Sequence, residues 1–194
     1  MTHVPHGRRR RGAGFTLIEL MVTIAIAAIL LLIATPSFVS FQRNAELTSA
    51  ANSFVAAVNA ARGEAMKTSL HAMAVPTDGD WSKGWTVFVD SNGSSVLDAA
   101  TDPIVLQQAA LPSYFTASGS GSAAASPPYV LFDASGYAKT KAAGFGALTL
   151  TIARNDLSGA DQLQQTRRIV VAKTGRARTC RPATDTTCTA TAEE

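Results

Sequence analysis

Four arginines, Arg8 to Arg11, lead into Gly14, and an apolar stretch begins directly after it with Phe15-Thr16-Leu17-Ile18-Glu19. Between Thr16 and Pro36 the one charged residue is Glu19. Roughly 20 residues are therefore apolar or small, enough for a helix to cross a ~30 Å hydrocarbon core. The arginines would hold their end of that helix in the cytoplasm. Glu19 does not suit a simple anchor, because an ionised carboxylate in hydrocarbon costs about 3 kcal/mol or more unless it is paired. A secretory signal places its small-residue cleavage site after the apolar region. Here the Gly14-Phe15 junction lies before it, so cleavage would remove the arginines and leave the helix on the mature chain.

The charge balance changes with that cut. The whole chain carries a formal +3, and loss of Met1 to Gly14, with its four arginines, leaves −1. Global basicity therefore gives no reason to expect a nucleic-acid partner, whereas local charge does. Residues 77–138 hold six aspartates and one lysine, a balance of −5, and residues 154–181 hold seven Lys/Arg and two Asp, a balance of +5. Cys180 and Cys188 are the two cysteines. No Cys or His nearby completes the roughly four-ligand set that zinc wants, and a position outside the cytoplasmic membrane favours a disulfide over free thiols.

Pro36 closes the apolar run and should bend or loosen the helix. Leu47, Ala51, Phe54, Val58, Ala61 and Ala65 then recur at three- and four-residue steps, one apolar face, with Arg43, Glu46, Arg62 and Lys67 on the polar side. The pattern predicts a single helix from about Thr16 to Lys67. Strands follow at Trp85 to Asp90, Tyr129 to Phe132, Leu148 to Ile152 and Arg168 to Ala172, bounded by Ser91-Asn92-Gly93, Asp133-Ala134-Ser135-Gly136 and Thr174-Gly175. The Ser/Gly/Ala/Pro-rich stretch Ala117 to Pro128 reads as a flexible loop. About 120 residues beyond the helix suffice for one β-rich domain.

Catalytic constellations are missing from the sequence. His3 and His6 leave with the leader, and His71 reads as a half-buried structural residue. There is no GxSxG elbow, phosphate loop or HExxH, so the chain reads as a non-enzyme without cofactors. The acidic run Asp90, Asp98, Asp102 fails as a helix-loop-helix calcium loop, because its twelfth position is Thr101 rather than glutamate. It reads as a solvated turn, and no metal is expected.

The basic run Lys173-Thr174-Gly175-Arg176-Ala177-Arg178-Thr179-Cys180-Arg181 is the sharpest local signal. Gly175 can take the positive φ of a tight turn. Arg176 and Arg178 project to one side if the chain is extended, and the arginine fork suits phosphate. No aromatic residue interleaves, which favours backbone contacts over base stacking. Charge alone leaves two readings open: a contact for DNA of any sequence, or a solvated hairpin whose arginines pair with the acidic middle of the domain.

The run Gly14, Phe15, Thr16, Leu17, Ile18, Glu19 resembles the processing site of type IV prepilins. The resemblance implies cleavage by a prepilin peptidase after Gly14 and N-methylation of Phe15. It also implies that Glu19 meets the free amine of a neighbouring subunit's N-terminus during filament assembly. The layout as a whole resembles the GspH/FimT-type pilins, most clearly at the N-terminus and also at Gly84 to Asp90, Leu131 to Gly136 and Arg168 to Arg178. That implies an α+β fold, with a long, partly transmembrane N-terminal helix packed on an antiparallel β-sandwich-like domain. The boundaries expected are a leader at 1–14, a membrane and filament-core helix at 15–36, the pilin domain at 37–181 and a tail at 182–194. The location implied is single-pass in the inner membrane with the domain periplasmic, and then in a pilus or pseudopilus beside other pilin subunits. Gly175-Arg176-Ala177-Arg178 resembles the GRxR element of FimT-type minor pilins. This implies sequence-nonspecific binding of double-stranded DNA for natural transformation, with Lys173 and Arg181 adding charge. The alternative is a GspH-like structural pseudopilin of a type II secretion system that binds no DNA.

Overall fold

A computed structural model describes residues 14–191, with the side chains of 33–37 outside the described set. Helix α1 runs Leu17–Thr68. Thr16 starts it: its hydroxyl accepts from the Glu19 N–H at 3.3 Å and its carbonyl from the Leu20 N–H at 3.2 Å, the usual way a threonine satisfies orphan donors at a helix start. The helical backbone continues unbroken through Pro36, where a loosening is expected from sequence.

The chain divides into two compact units, Met1–Gln42 and Arg43–Glu194. In the first, the described apolar side chains, from Phe15 and Leu17 through Leu32 to Phe41, are exposed, and so is Glu19. Among the described residues no helix is long and apolar enough to cross a membrane. The membrane span expected at 15–36 includes residues 33–37, whose side chains lie outside the described residues.

The second unit carries two antiparallel sheets. One has the order β3-β2-β1-β5-β6 and the other β4-β7-β8-β9. Their strands are β1 His71–Pro76, β2 Trp85–Asp90, β3 Ile104–Gln108, β4 Phe115–Gly121, β5 Val130–Phe132, β6 Ala138–Lys139, β7 Leu148–Arg154, β8 Thr166–Val171 and β9 Ala177–Cys180. A short helix, α2, Gly159–Gln164, joins β7 to β8.

The apolar face of α1 builds the core. Leu47, Ala51, Phe54, Val58, Ala61 and Ala65 are all fully buried. They pack in one cluster with Trp85, Val87, Val130 and Phe132 of the first sheet and Leu148, Leu150, Ile152, Ile169 and Val171 of the second. The period-two alternation of strands sends the intervening residues Met73, Phe88 and Leu131 to the opposite face of the first sheet, where they form a second cluster with Tyr129. Among the described residues, every buried side chain lies at Leu47 or beyond. The unit from Arg43 therefore holds a complete core of its own, independent of the apolar helix before it.

Three expectations are corrected. Residues 117–128 are not one flexible loop: through Gly121 they belong to β4, paired with β7 from Phe115↔Arg154 to Gly121↔Leu148, and Ser122–Ala124 form a 3-10 turn. Small residues are required there, because a Cβ on Gly119 would stand 2.1 Å from the Ala123 carbonyl oxygen. His71 is exposed at the start of β1 rather than half-buried. Asp90 and Asp102 are not solvated, at 2 % and 4 % exposure. Asp102 accepts the N–H groups of Ser91 and Asp98 at 3.0 and 2.9 Å, and Asp90 accepts that of Ser95 at 3.0 Å. These carboxylates fold the loop on itself.

A charged cluster closes one end of the unit. Buried Arg154 donates to both oxygens of Asp156 at 2.9 and 2.6 Å, and Arg43 adds a third bond at 2.5 Å. The Arg43 guanidinium lies 4.6 Å over the Tyr114 ring, whose hydroxyl donates to Glu46. The hydrogen bond from Arg154, reinforced by the charges of Arg154 and Arg43, holds the Asp156 carboxyl below its ordinary range. A depressed carboxyl contributes stability that is present above the unfolded-state pKa of about 3.9 and fades as pH falls through the lower folded value. Asp156→Asn should therefore cost about 1–2 kcal/mol at neutral pH, allowing for partial exposure of the pair. The gap in melting temperature from wild type should hold from pH 7 to about 5 and close below about 4. A gap that widens in acid would contradict this role.

Candidate functional site

The residues of the basic run occupy the β8–β9 connection, strand β9 and Arg181 directly after it. Strand β8 pairs with β9 from Arg168↔Cys180 to Val171↔Ala177. The turn between them is closed by Gly175 N–H to the Ala172 carbonyl at 2.8 Å and Ala172 N–H to the Arg176 carbonyl at 3.0 Å. Gly175 has φ +80, a conformation that glycine adopts without a Cβ penalty. It is buried, and a Cβ there would stand 2.0 Å from the Gly136 carbonyl oxygen and 2.9 Å from Arg62 Nε.

The turn is docked rather than free. The Arg62 Nε–H of α1 donates to the Gly136 carbonyl at 3.0 Å, and the Ala138 N–H donates to the Lys173 carbonyl at 3.0 Å. The turn Asp133–Gly136 is itself organised by Asp133, whose Oδ1 accepts the N–H groups of Ser135 and Tyr137, each at 3.0 Å. Helix, hairpin and basic turn thus meet at two glycines.

The positive excess of residues 154–181 divides between interior and surface. Arg154 and Arg167 are buried. Arg167 donates to the carbonyls of Gln164 and Thr166 and to Asn44 Oδ1 at 2.6 Å, and burial followed by the nearby charge of Arg181 lowers its pKa. Arg168 is half-buried and donates to the Cys188 carbonyl. Lys173, Arg176, Arg178 and Arg181 are exposed.

Cys180 and Cys188 form a disulfide with Cα atoms 5.7 Å apart. The loop it closes returns Asp185 and Thr187 to Arg178, which donates to the Thr187 carbonyl at 3.1 Å and pairs with Asp185 at 3.5 Å. Hydrogen bonds from Thr187, then the charge of Arg178, lower the Asp185 pKa. Arg178 therefore finds its carboxylate within the tail, not in the acidic middle of the domain. Among the described residues no carboxylate pairs with Lys173, Arg176 or Arg181.

Sequence reasoning missed Asp185, Gly136 and an exposed aromatic pair. Tyr137 and Phe145 are 42 % and 55 % exposed, with ring centroids 5.5 Å apart. Among the described residues no group of three or more His, Cys, Asp or Glu is placed to hold a metal ion.

The family described as type II transport protein GspH matches residues 50–175. The chain belongs to the GspH family. The prokaryotic N-terminal methylation motif matches residues 9–35, across Gly14, Phe15 and Glu19. Two solved structures share the fold of this GspH-family chain. The type IV minor pilin FimU of Pseudomonas aeruginosa is 23 % identical with a TM-score of 0.52, over 71 % of this chain and 90 % of that one. The minor pseudopilin EpsH from the type 2 secretion system of Vibrio cholerae is 17 % identical with a TM-score of 0.50, over 71 % of this chain and 98 % of that one. No curated protein matches this chain. The GspH-family chain thus shares the α+β fold of both, an N-terminal helix followed by antiparallel sheets.

Proposed function

We propose that this protein is a minor pilin of the FimT kind, processed at Gly14-Phe15 and methylated at Phe15. It is then held in the inner membrane and in a pilus by the apolar helix, with Glu19 pairing to a neighbour's N-terminal amine. The methylation-motif match across these residues supports the processing step. The exposed apolar side chains described from Phe15 to Leu32 and again at Phe38, Val39 and Phe41 support the anchoring, because such a surface calls for a covering of lipid or of other pilin helices. The mature domain stands in the periplasm and offers its basic turn to double-stranded DNA of any sequence.

The observation that carries DNA contact is the docked β8–β9 turn, which holds Lys173 and Arg176 exposed and without a carboxylate partner among the described residues. A preorganised cationic turn of this kind meets phosphates rather than base edges. Arg178 and Arg181 extend the charged surface, with Arg178 partly neutralised by Asp185.

The test is titration of the 43–194 unit with a fluorescent duplex at low and moderate salt. Arg176→Ala/Arg178→Ala should weaken binding about tenfold or more at low salt, and Asp185→Asn should strengthen it by unmasking Arg178. Equal binding by wild type and the double variant, or none by either, removes this assignment. It then leaves the structural reading, a pseudopilin whose domain meets other pilins alone. The GspH-family match and the fold shared with EpsH support that second reading equally.

A further inference from the structure

The aromatic residues that the basic run lacks in sequence are supplied by the fold. Tyr137 lies between two residues that both touch the turn: Gly136, whose carbonyl oxygen meets Gly175, and Ala138, whose N–H binds the Lys173 carbonyl. Tyr137 and Phe145 form an edge-to-face pair at 71° with large exposed areas. Lys139 bridges to Phe145 through its backbone and sets its ammonium 3.9 Å from the Phe145 ring centroid. It also lies 3.6 Å from Asp133, the one carboxylate paired to a cation at this place among the described residues. The exposed ring pair therefore lies beside Lys139, on a segment whose residues Gly136 and Ala138 meet the backbone of the turn that carries Lys173 and Arg176.

Exposed rings beside cations fit a ligand that offers both flat apolar faces and phosphates. In a duplex the base faces are stacked on one another and closed to side chains, so duplex DNA would engage the cations and leave the rings unused. A single strand presents both. We propose that Tyr137 and Phe145, with Lys139, Lys173 and Arg176, form a binding site for single-stranded nucleic acid, in which bases stack on the rings and the backbone lies along the cations. This rests on the reading that the basic turn contacts nucleic acid, and it adds the strandedness of the ligand at that site.

The 43–194 unit is titrated with a 20-nucleotide oligo-dT and, separately, with a 20-base-pair duplex, at one salt concentration. Tyr137→Leu/Phe145→Leu keeps apolar bulk and removes both rings. It should weaken oligo-dT binding on the order of tenfold or more and leave duplex binding within about twofold. Lys173→Ala/Arg176→Ala should weaken both. In the wild-type unit, ring protons of Tyr137 and Phe145 should move upfield on adding oligo-dT and stay in place with duplex, which reads stacking without any variant. If duplex binds but the leucine variant keeps full oligo-dT affinity, the stacking site is lost and the DNA reading stands. Binding of neither ligand by wild type removes both. A leucine variant that changes only self-association would make the ring pair a contact between copies and overturn the proposal.

Discussion

Gly175→Val should cost the domain about 3–5 kcal/mol and release the basic turn from the helix. Two effects add. At φ +80 a β-branched residue is strained by about 1–3 kcal/mol. Its Cβ would also stand 2.0 Å from the Gly136 carbonyl oxygen, a backbone atom that cannot swing aside. To relieve that overlap the turn must retreat, giving up the bond from Ala138 N–H to the Lys173 carbonyl and loosening that from Arg62 to Gly136. Each such bond is worth about 0.5–1.5 kcal/mol. Thermal melting reads the global loss, and hydrogen exchange at the Ala138 amide reads the local one, which should rise sharply. Gly175→Ala should show much of the same loss, because the overlap begins at Cβ. An alanine variant that melts with wild type and keeps Ala138 protected would mean that the turn is not docked on Gly136.

Phe54→Ala should be as damaging, about 3–5 kcal/mol, for a reason in the core. The Phe54 ring is fully buried, edge-to-face with Trp81 at 5.3 Å and with Trp85 at 5.2 Å. Trp81 is held from its other side by the bond from its Nε1–H to the Ala123 carbonyl at 2.9 Å, so it is not free to fill the void. Alanine is the better helix former, and the loss can be assigned to packing rather than to α1. For a domain of this size the melting temperature should fall on the order of 10 °C. A fall below about 2 °C would show that the cavity collapses and that Phe54 does not join the helix to the sheets.

The second half of α1 was legible because its apolar residues repeat at helical spacing, and each of those six side chains is fully buried. Strands β2, β5 and β8 were legible from apolar and β-branched runs closed by turn residues, and β7 from its period-two alternation. Strand β4 was hidden by its composition. Ser, Gly and Ala are poor strand formers in isolation, yet they suit a strand that must let residues 122–124 fold closely over it. Strand β1, with Ala, Met and a terminal Pro, gave no β-branched signal beyond Val75.

The candidate site divides in the same way. The turn at Gly175 and its exposed arginines follow from local sequence. The segment of Tyr137 and Lys139 meets that turn only through pairing of β5 with β6 and the hydrogen bond from Ala138 to Lys173, contacts between segments far apart in the chain. The Asp185–Arg178 pair depends on the loop that the disulfide closes, whose path nothing in the residue spacing dictates.

The central claim, that the basic turn meets DNA phosphates, is tested most directly by the salt dependence of duplex binding. Plotted as log affinity against log salt, the slope should become shallower by about 0.9 for each phosphate contact removed, and so by nearly two for Arg176→Ala/Arg178→Ala. An unchanged slope and affinity in the double variant would contradict the account.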